Sequence, residues 1–392
     1  MNNCHKPLDM PVVAHSVSSW LPITMTWVYS QLKYTNDFSS IVLAQTTQNR
    51  DRFSWEPIYS VSTKLSLFFF RVLKKLKIRD YPSVYDSAIS MHRPVILHSH
   101  FGDRGWSDLA IAQKHALKHV VTFYGHDVNM LPTQEPIWRE RYKELFEKAD
   151  LFLCEGPHMA KCIVNLGCRQ EKVKVQRLGI EVDNIPFVPR KIGDDGLIKI
   201  LIAGTFREKK GIPFALEAIG LLMGKYQNLR VTIIGDSTGY EREESEKKKI
   251  GDVIERYSLA PITRMLGFQP HNVLFEEAFQ HHIFLSPSVT SEDGDTEGGA
   301  PVTIIEMIAT GMPVVSTFHC DIPQIIEHGV NGLLAEERDV EGLAAHMCWL
   351  VEHAEDWEKF ATAGRERVQR GFCVRAQAYS LSNIYRELCE AG

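Results

Sequence analysis

Residues 292–316, EDGDTEGGAPVTIIEMIATGMPVVS, set an acidic, glycine-rich loop ahead of an apolar stretch that still carries one carboxylate, Glu306. Pro301 suits the first turn of a helix, where its missing N–H costs nothing, and Gly311 suits the end, so the spacing predicts a helix over 301–310. The N–H groups left over at its start, together with the helix dipole, favour a phosphate. Glu306 falls between one and two turns in, where a carboxylate can accept two hydrogen bonds from a vicinal diol such as a ribose. A nucleoside diphosphate satisfies both features. Taken singly, Glu306 also reads as a partly exposed helix residue and Glu297 as an ordinary loop acid.

Cleaving a glycosyl phosphate leaves a diphosphate of growing negative charge and a sugar of oxocarbenium character, so a fixed cation beside a helix N-terminus lowers the barrier. Arg207 and Lys210, in GTFREKKG (204–211), are the cations available for this; out of context a lysine in REKK is solvated surface. In the first half, TFYGHDV (122–128) offers His126 next to Asp127, with a loop histidine bonded to a carbonyl as the plainer reading. His98 and His100 share one side of a strand and such a pair can bind zinc. Asp103, His126 and Asp127 could be drawn into a metal-hydrolase site with them, but a third and fourth ligand at fixed spacing are missing.

The elements that must position these groups alternate. IKILIAG, LRVTIIGD, a short strand near Met265, IFLSPS, PVVST and GVNGLLA read as strands, separated by helical patterns such as PFALEAIGLLMGKY and YEREESEKKKIGDVIERYSL. The first half follows the same grammar in MPVVAHSV, SSIVLAQT, RPVILHSH, KHVVTFYG, ADLFLCEG and KVKVQRLG. Such alternation implies α/β architecture with parallel sheets covered on both faces. At 392 residues the chain exceeds one hydrophobic core, and IPFVPRKIGDDG (185–196) has the prolines and glycines of a linker. Ligands of open parallel sheets bind beyond the strands' carboxyl ends, which places a substrate cleft between two such domains. No GxGxxG follows the first strand, which weakens a nicotinamide or flavin reading.

Composition narrows the class. With 44% hydrophobic and 24% charged residues the chain matches folded enzymes, and a net charge of -5 argues against a nucleic-acid partner. The 8 cysteines form no CxxC pair, as expected of a reducing compartment rather than a disulfide framework or structural zinc site. The start, MNNCHKPLDM, predicts no secretory signal. Segment 64–79, KLSLFFFRVLKKLKIR, has six basic residues, nine apolar ones and no acid. It reads either as a domain helix with a solvated basic face or as a helix that rests on anionic lipid.

The sequence resembles the family 4 retaining glycosyltransferases (group 1 type), including members of exopolysaccharide pathways. The resemblance rests on the order of HSHFG (98–102), TFYGHDVNMLP (122–132), GTFREKKG, IIGD (233–236), LGF (266–268), LSPS (285–288), the EGGAP loop with its helix, and DIPQIIEHGVNGLL (321–334). It implies the GT-B fold, two facing Rossmann-like domains with a cleft between them. The expected division is 1–190 for the acceptor, 191–370 for the nucleotide sugar, and a C-terminal helix within 371–392 packing back on the first domain. It further implies that Lys210 neutralises the donor diphosphate and that Glu306 holds the ribose. Glu297 with Gly298 and Gly299 would address the transferred sugar, and Thr205, Ala300 and Pro301 would line the nucleotide. No metal or cofactor is required.

The chain departs from the family pattern in three places. Thr205 stands where an arginine is common, so Arg207 is the expected substitute. One extra residue separates Glu297 from Glu306, so that Asp293 or Asp295 could share the sugar contact. Tyr124 replaces a histidine, which leaves His126 as the expected polar residue of the first domain. The expected activity is transfer of a hexose from a UDP- or GDP-sugar to a saccharide or lipid-linked acceptor in cell-surface polysaccharide synthesis. The expected location is cytoplasmic, with peripheral contact at the inner membrane face through 64–79. A nucleotide-sugar epimerase of the same fold and a catalytically silent nucleotide-sugar-binding protein are the alternatives.

Overall fold

Among the described residues of the chain's computed structural model, thirteen strands, all paired in parallel, form two sheets of seven and six. The structure describes residues 10–22, 25–61 and 81–390, with Phe68 and Val72. Apart from those last two residues, the helix expected over 64–79 lies outside the described residues. Two units divide the chain, one of residues 1–179 with 374–392 and one of residues 180–373.

In the first unit the strands are β1 (Val12–Trp20), β2 (Ser39–Thr47), β3 (Ile58–Ser60), β4 (Ile96–His100), β5 (Lys118–Thr122), β6 (Leu151–Cys154) and β7 (Val173–Val175). Their spatial order is β3-β2-β1-β4-β5-β6-β7. This is the doubly wound order, with its switch point between β1 and β4. The C-terminal helix Val374–Glu390 belongs to this unit and buries Leu381, Ile384 and Tyr385 against Val13, Ile96 and Val120. β3 was not expected from the sequence. Its three residues, Ile58–Ser60, follow Pro57 and carry too short a pattern to announce a strand.

The second unit repeats the plan with β8 (Ile198–Ala203), β9 (Leu229–Ile234), β10 (Thr263–Met265), β11 (Ile283–Ser286), β12 (Val314–Thr317) and β13 (Leu333–Ala335). The order β10-β9-β8-β11-β12-β13 puts the switch point between β8 and β11. Side chains alternate across this sheet. Ile200, Ile202, Val231, Ile233 and Leu285 face helices Ile212–Met223 and Val340–Glu352, whereas Leu201, Phe284 and Val314 face helices Val302–Ala309 and Trp357–Phe372. Each fully buried side chain of this size contributes roughly 1.5–3 kcal/mol, so both layers are needed to hold the strand ends in place. The proline-rich stretch after residue 180 packs on this unit. Val188 N donates to Thr310 O at 2.9 Å, and Arg190 Nε donates to His281 O at 3.0 Å.

Candidate functional site

At the switch point of the second sheet β8 is followed by Gly204, and the chain turns through Thr205, Phe206 and Arg207 into a short 3-10 turn, Glu208–Lys210. Phe206 is fully buried and anchors the turn, while Thr205, Arg207 and Lys210 stay partly exposed around it. Gly211 then adopts φ 63°, and a Cβ built there would lie 1.9 Å from Pro287 O, so only glycine lets the turn pass so close to the segment after β11.

From β11 the loop 287–300 leads to helix Val302–Ala309, with Pro301 as its N-cap residue, one position earlier in the helix than expected. Pro301 O accepts from Ile304 N at 3.0 Å, Gly298 N donates to Thr296 Oγ1 at 3.0 Å, and Gly299 O accepts from Asp321 N at 3.4 Å. Gly298 takes a left-handed φ of 78°, and Ala300 packs half-buried against the apolar layer. The helix is apolar on nearly every side, with Ile304, Ile305, Met307 and Ile308 buried. Glu306 is also buried, and its Oε1 meets Nε2 of the half-exposed His271 at 2.9 Å. His271 opens helix His271–Ala278, and nothing in its sequence surroundings marks it as the neighbour of a residue thirty-five positions away.

Glu297 and Lys210 meet directly. Lys210 Nζ lies 2.8 Å from Glu297 Oε1 and 2.9 Å from Oε2, and Ser288 Oγ donates to Oε1 at 3.0 Å. Lys209 Nζ donates to Thr296 O at 2.8 Å and lies 3.3 Å from Asp295 Oδ1, while Arg207 forms an ion pair with Asp295. Asp293, the other acid considered for the sugar, lies 3.5 Å from Arg242 Nη1. Burial alone would raise the Glu297 carboxyl, but Lys210 and Lys209 outweigh it and bring it down to about 2. Burial also lowers the Lys209 ammonium from its ordinary value. The loop thus holds a buried carboxylate between two lysines, one of which keeps 21% of its side chain exposed and so remains reachable by a ligand.

This arrangement has a pH signature. With a folded value near 2 against an ordinary 4.5, Glu297 supplies stability that is present above pH 4.5 and lost as pH falls through that window. The Tm gap between wild type and Glu297→Gln is therefore expected to be widest at neutral pH and to narrow between about pH 4.5 and 2. Calorimetry across that range checks it.

His319 and Cys320 sit beneath the same loop. His319 Nδ1 lies 2.6 Å from Glu337 Oε1, and Nε2 accepts Glu297 N–H at 3.1 Å with Cys320 Sγ 3.2 Å away. The trio has the composition of a cysteine nucleophile with its base, but burial pushes the Cys320 thiol up to about 12. A thiolate is needed for attack, so the group holds the loop in place instead.

The first unit presents a different chemistry at its own switch point. His98 and His100 on β4 stack at 4.5 Å between ring centroids, the shared face that their spacing predicts, and His15 on β1 joins them. His15 Nδ1 lies 3.2 Å from His100 Nε2. His98 places Nδ1 2.6 Å from Tyr385 Oη and Nε2 2.6 Å from Thr122 Oγ1, and His100 places Nδ1 2.7 Å from Tyr124 Oη. Burial pushes His100 down to about 3, so the imidazole is neutral at physiological pH. These nitrogens are engaged with hydroxyls and with one another, which is the pattern of a hydrogen-bonded chain. The aspartates once drawn into a metal site act elsewhere. Asp127 accepts backbone N–H bonds from Gly102 at 2.8 Å and Tyr124 at 3.0 Å, with burial pushing its carboxyl up to about 7, and burial likewise raises Asp103.

Between His100 and Gly102, Phe101 adopts φ 78° and ψ 145°, a combination close to glycine-only territory that costs about 1–3 kcal/mol. Its ring lies 4.7 Å from that of Tyr124, which is itself nearly buried. His126 is exposed at the start of a single π-turn, His126–Met130. The Tyr124 hydroxyl is thus set beside His100, as the Thr122 and Tyr385 hydroxyls are beside His98. Replacing Asp127 with asparagine is expected to cost about 1–3 kcal/mol, because the amide NH2 would face a buried backbone N–H. Chemical denaturation measures it.

Of the residues read from sequence, the structure places Glu297, Gly298, Gly299, Ala300, Pro301 and Glu306 along one loop and helix of the second unit, and Thr205, Arg207 and Lys210 on the turn after β8, where Lys210 meets Glu297. Sequence reasoning missed His271, Ser288 and His319 in this unit and His15 and Tyr385 in the first. Their partners come from other elements, and of the quoted stretches only MPVVAHSV, with His15, and LSPS, with Ser288, contained one of them.

The profile described as glycosyl transferases group 1 matches residues 185–367. The amylovoran biosynthesis glycosyltransferase AmsK of Erwinia amylovora is 32% identical over 271 residues, 69% of this chain and 64% of its own. WcaL of Salmonella typhimurium, named as a candidate colanic acid biosynthesis glycosyltransferase, is 30% identical over 295 residues, 74% of this chain and 70% of its own. Among solved structures, Anabaena HepE in complex with UDP superposes with a TM-score of 0.77 at 14% identity, covering 96% of this chain and 100% of that one. A sucrose-phosphate synthase from Thermosynechococcus elongatus gives 0.75 at 16% identity over 97% and 100%. At such identities these two likenesses speak for the fold alone, which is that of the GT-B glycosyltransferases. On the family match and the relatives of 30% identity and above, the chain belongs to the group 1 glycosyl transferases and is an enzyme of that class.

Proposed function

We propose that the protein is a retaining glycosyltransferase that moves a hexose from a nucleoside diphosphate sugar to a saccharide acceptor in exopolysaccharide synthesis. The observation that carries this reading is the contact of Lys210, on the turn after β8, with Glu297, on the loop after β11 that leads into helix Val302–Ala309 and its buried Glu306. Lys210 and the helix N-terminus would take the diphosphate, Glu306 one or both ribose hydroxyls, and Glu297 with Gly298 and Gly299 the hexose. Thr205, Ala300 and Pro301 would border the nucleotide, and Arg207 would stand in for the arginine absent at 205. In the free enzyme Lys210 is paired with Glu297 at 2.8 Å, so donor binding exchanges one anionic partner of that lysine for another.

The reaction has the character of a same-face displacement. The bond between anomeric carbon and phosphate oxygen breaks as the acceptor oxygen bonds the anomeric carbon, and the departing phosphate oxygen takes the acceptor's proton. Lys210 opposes the charge that develops on the diphosphate, with the electrostatic advantage of a fixed cation. No protein nucleophile is required. The Tyr124 hydroxyl or His126 would supply polar contact to acceptor or sugar from the first unit. The polysaccharide setting follows the printed functions of AmsK and WcaL. No helix among the described residues is long and apolar enough to cross a membrane. Segment 64–79 would hold the enzyme at an anionic leaflet, where a lipid-linked acceptor is found.

Incubation of UDP- and GDP-hexoses with and without a lipid-linked oligosaccharide tests the reading. The expected result is acceptor-dependent release of nucleoside diphosphate with the anomeric configuration kept, and at most slow hydrolysis without acceptor. A new sugar formed from donor alone would make the enzyme an epimerase. Binding with no product from any acceptor would make it a silent nucleotide-sugar module.

A further inference from the structure

Three cations lie at the end of the second sheet opposite the donor loops. Lys199 on β8 and Arg230 on β9 are direct register partners, and Arg264 on β10 is the partner of Thr232. Neighbouring partners in a sheet share a face, as do residues two apart on one strand, so Lys199, Arg230 and Arg264 stand side by side on a single face. Like charges directly opposite one another destabilise a sheet. The protein answers only one of the three, through the Arg264–Glu277 ion pair. Among the described residues, neither Lys199 nor Arg230 forms an ion pair.

These side chains border a cavity of about 290 Å³ together with Thr232, Thr263 and His281. That volume is close to the lower limit for small-molecule sites. Thr232 Oγ1 lies 2.9 Å from His281 Nε2, and the other imidazole nitrogen lies 2.6 Å from Glu277 O. A ring with its proton on Nδ1 donates to that carbonyl and accepts from the Thr232 hydroxyl, so both His281 nitrogens are satisfied within the protein. The Lys199 ammonium and the Arg230 guanidinium at the edge of a small cavity, with Arg264 held beside them by Glu277, match the point-charge and fork recognition of phosphate oxygens.

We propose that this shelf is a second anion site, one that binds a phosphate-bearing small molecule, either inorganic phosphate or a sugar phosphate. It is separate from the donor loops because Lys199 is the second residue of β8 whereas Gly204 follows its end, about 17 Å away along the strand. The site is independent of the roles given to Lys210 and Glu306.

Calorimetric titration with inorganic phosphate and with glucose 1-phosphate, against chloride at equal ionic strength, tests it in wild type, Lys210→Met and the double variant Lys199→Gln/Arg230→Gln. Both replaced side chains of the double variant are at least partly exposed, and circular dichroism verifies that it folds. The expected result is binding in wild type and in Lys210→Met with a Kd weakened at least tenfold in the double variant. Binding of both probes marks the phosphate group as the determinant, and binding of the ester alone marks a sugar phosphate. Binding lost in Lys210→Met and kept in the double variant would place the anion at the donor loops and overturn the proposal, as would no heat beyond that of chloride.

Discussion

Lys210→Met is expected to lower kcat/KM by about 10²–10³-fold, the effect of deleting one preorganised donor from a site of developing charge. Most of the loss should appear in kcat, because the charge it opposes is largest in the transition state. The same substitution leaves Glu297 with Lys209 and Ser288 as its remaining neighbours, so a fall in Tm is expected as well. Measuring nucleotide release well below that lower Tm separates the two effects. Activity within threefold of wild type would remove Lys210 from the site.

Gly235→Ala is expected to be the most damaging change of a single methyl group. Gly235 has φ +133°, and a Cβ there would stand 1.9 Å from the carbonyl oxygen of Gly204, a backbone atom that cannot swing aside. Backbone strain and overpacking together cost roughly 3–5 kcal/mol, equivalent to a Tm fall of roughly 10 °C in a unit of this size. The displaced atom belongs to the turn that carries Thr205, Arg207 and Lys210, so activity should fall further than stability alone explains. Gly251→Ala supplies the contrast. Gly251 lies inside helix Glu241–Arg256 with nothing within 4 Å of a built Cβ, so alanine there should stabilise by up to about 1 kcal/mol. Differential scanning calorimetry of both variants checks the opposite signs.

Legibility in the sequence followed the range of the interactions concerned. Strands such as β8 and β9 were readable because their Ile, Leu, Val and Ala residues, broken only by Lys199 in one and by Arg230 and Thr232 in the other, run up to a glycine and leave few other structures open. The shared face of His98 and His100 was readable because strand geometry alone sets it. Their third partner, His15, depends on β1 lying beside β4 in a register that pairs His15 with His98, and local pattern does not encode that. The same holds for His271, which reaches Glu306 from a separate helix, and for Tyr385, which reaches His98 across most of the chain. The Lys210–Glu297 pair joins two motifs that were each legible, but their direct contact in the free enzyme was not. It arises because β8 and β11 are neighbours although β9 and β10 intervene in sequence. His126 illustrates the converse, a polar residue prominent in sequence that the fold leaves exposed while the tyrosine two places earlier turns inward.

A crystal structure of the enzyme soaked with UDP and, separately, GDP tests the central claim most directly. The account predicts diphosphate density against Lys210 and the start of helix Val302–Ala309, with the ribose hydroxyls on Glu306 and the Lys210–Glu297 contact opened. Density for the nucleotide anywhere else on the protein, with that ion pair intact, would contradict it.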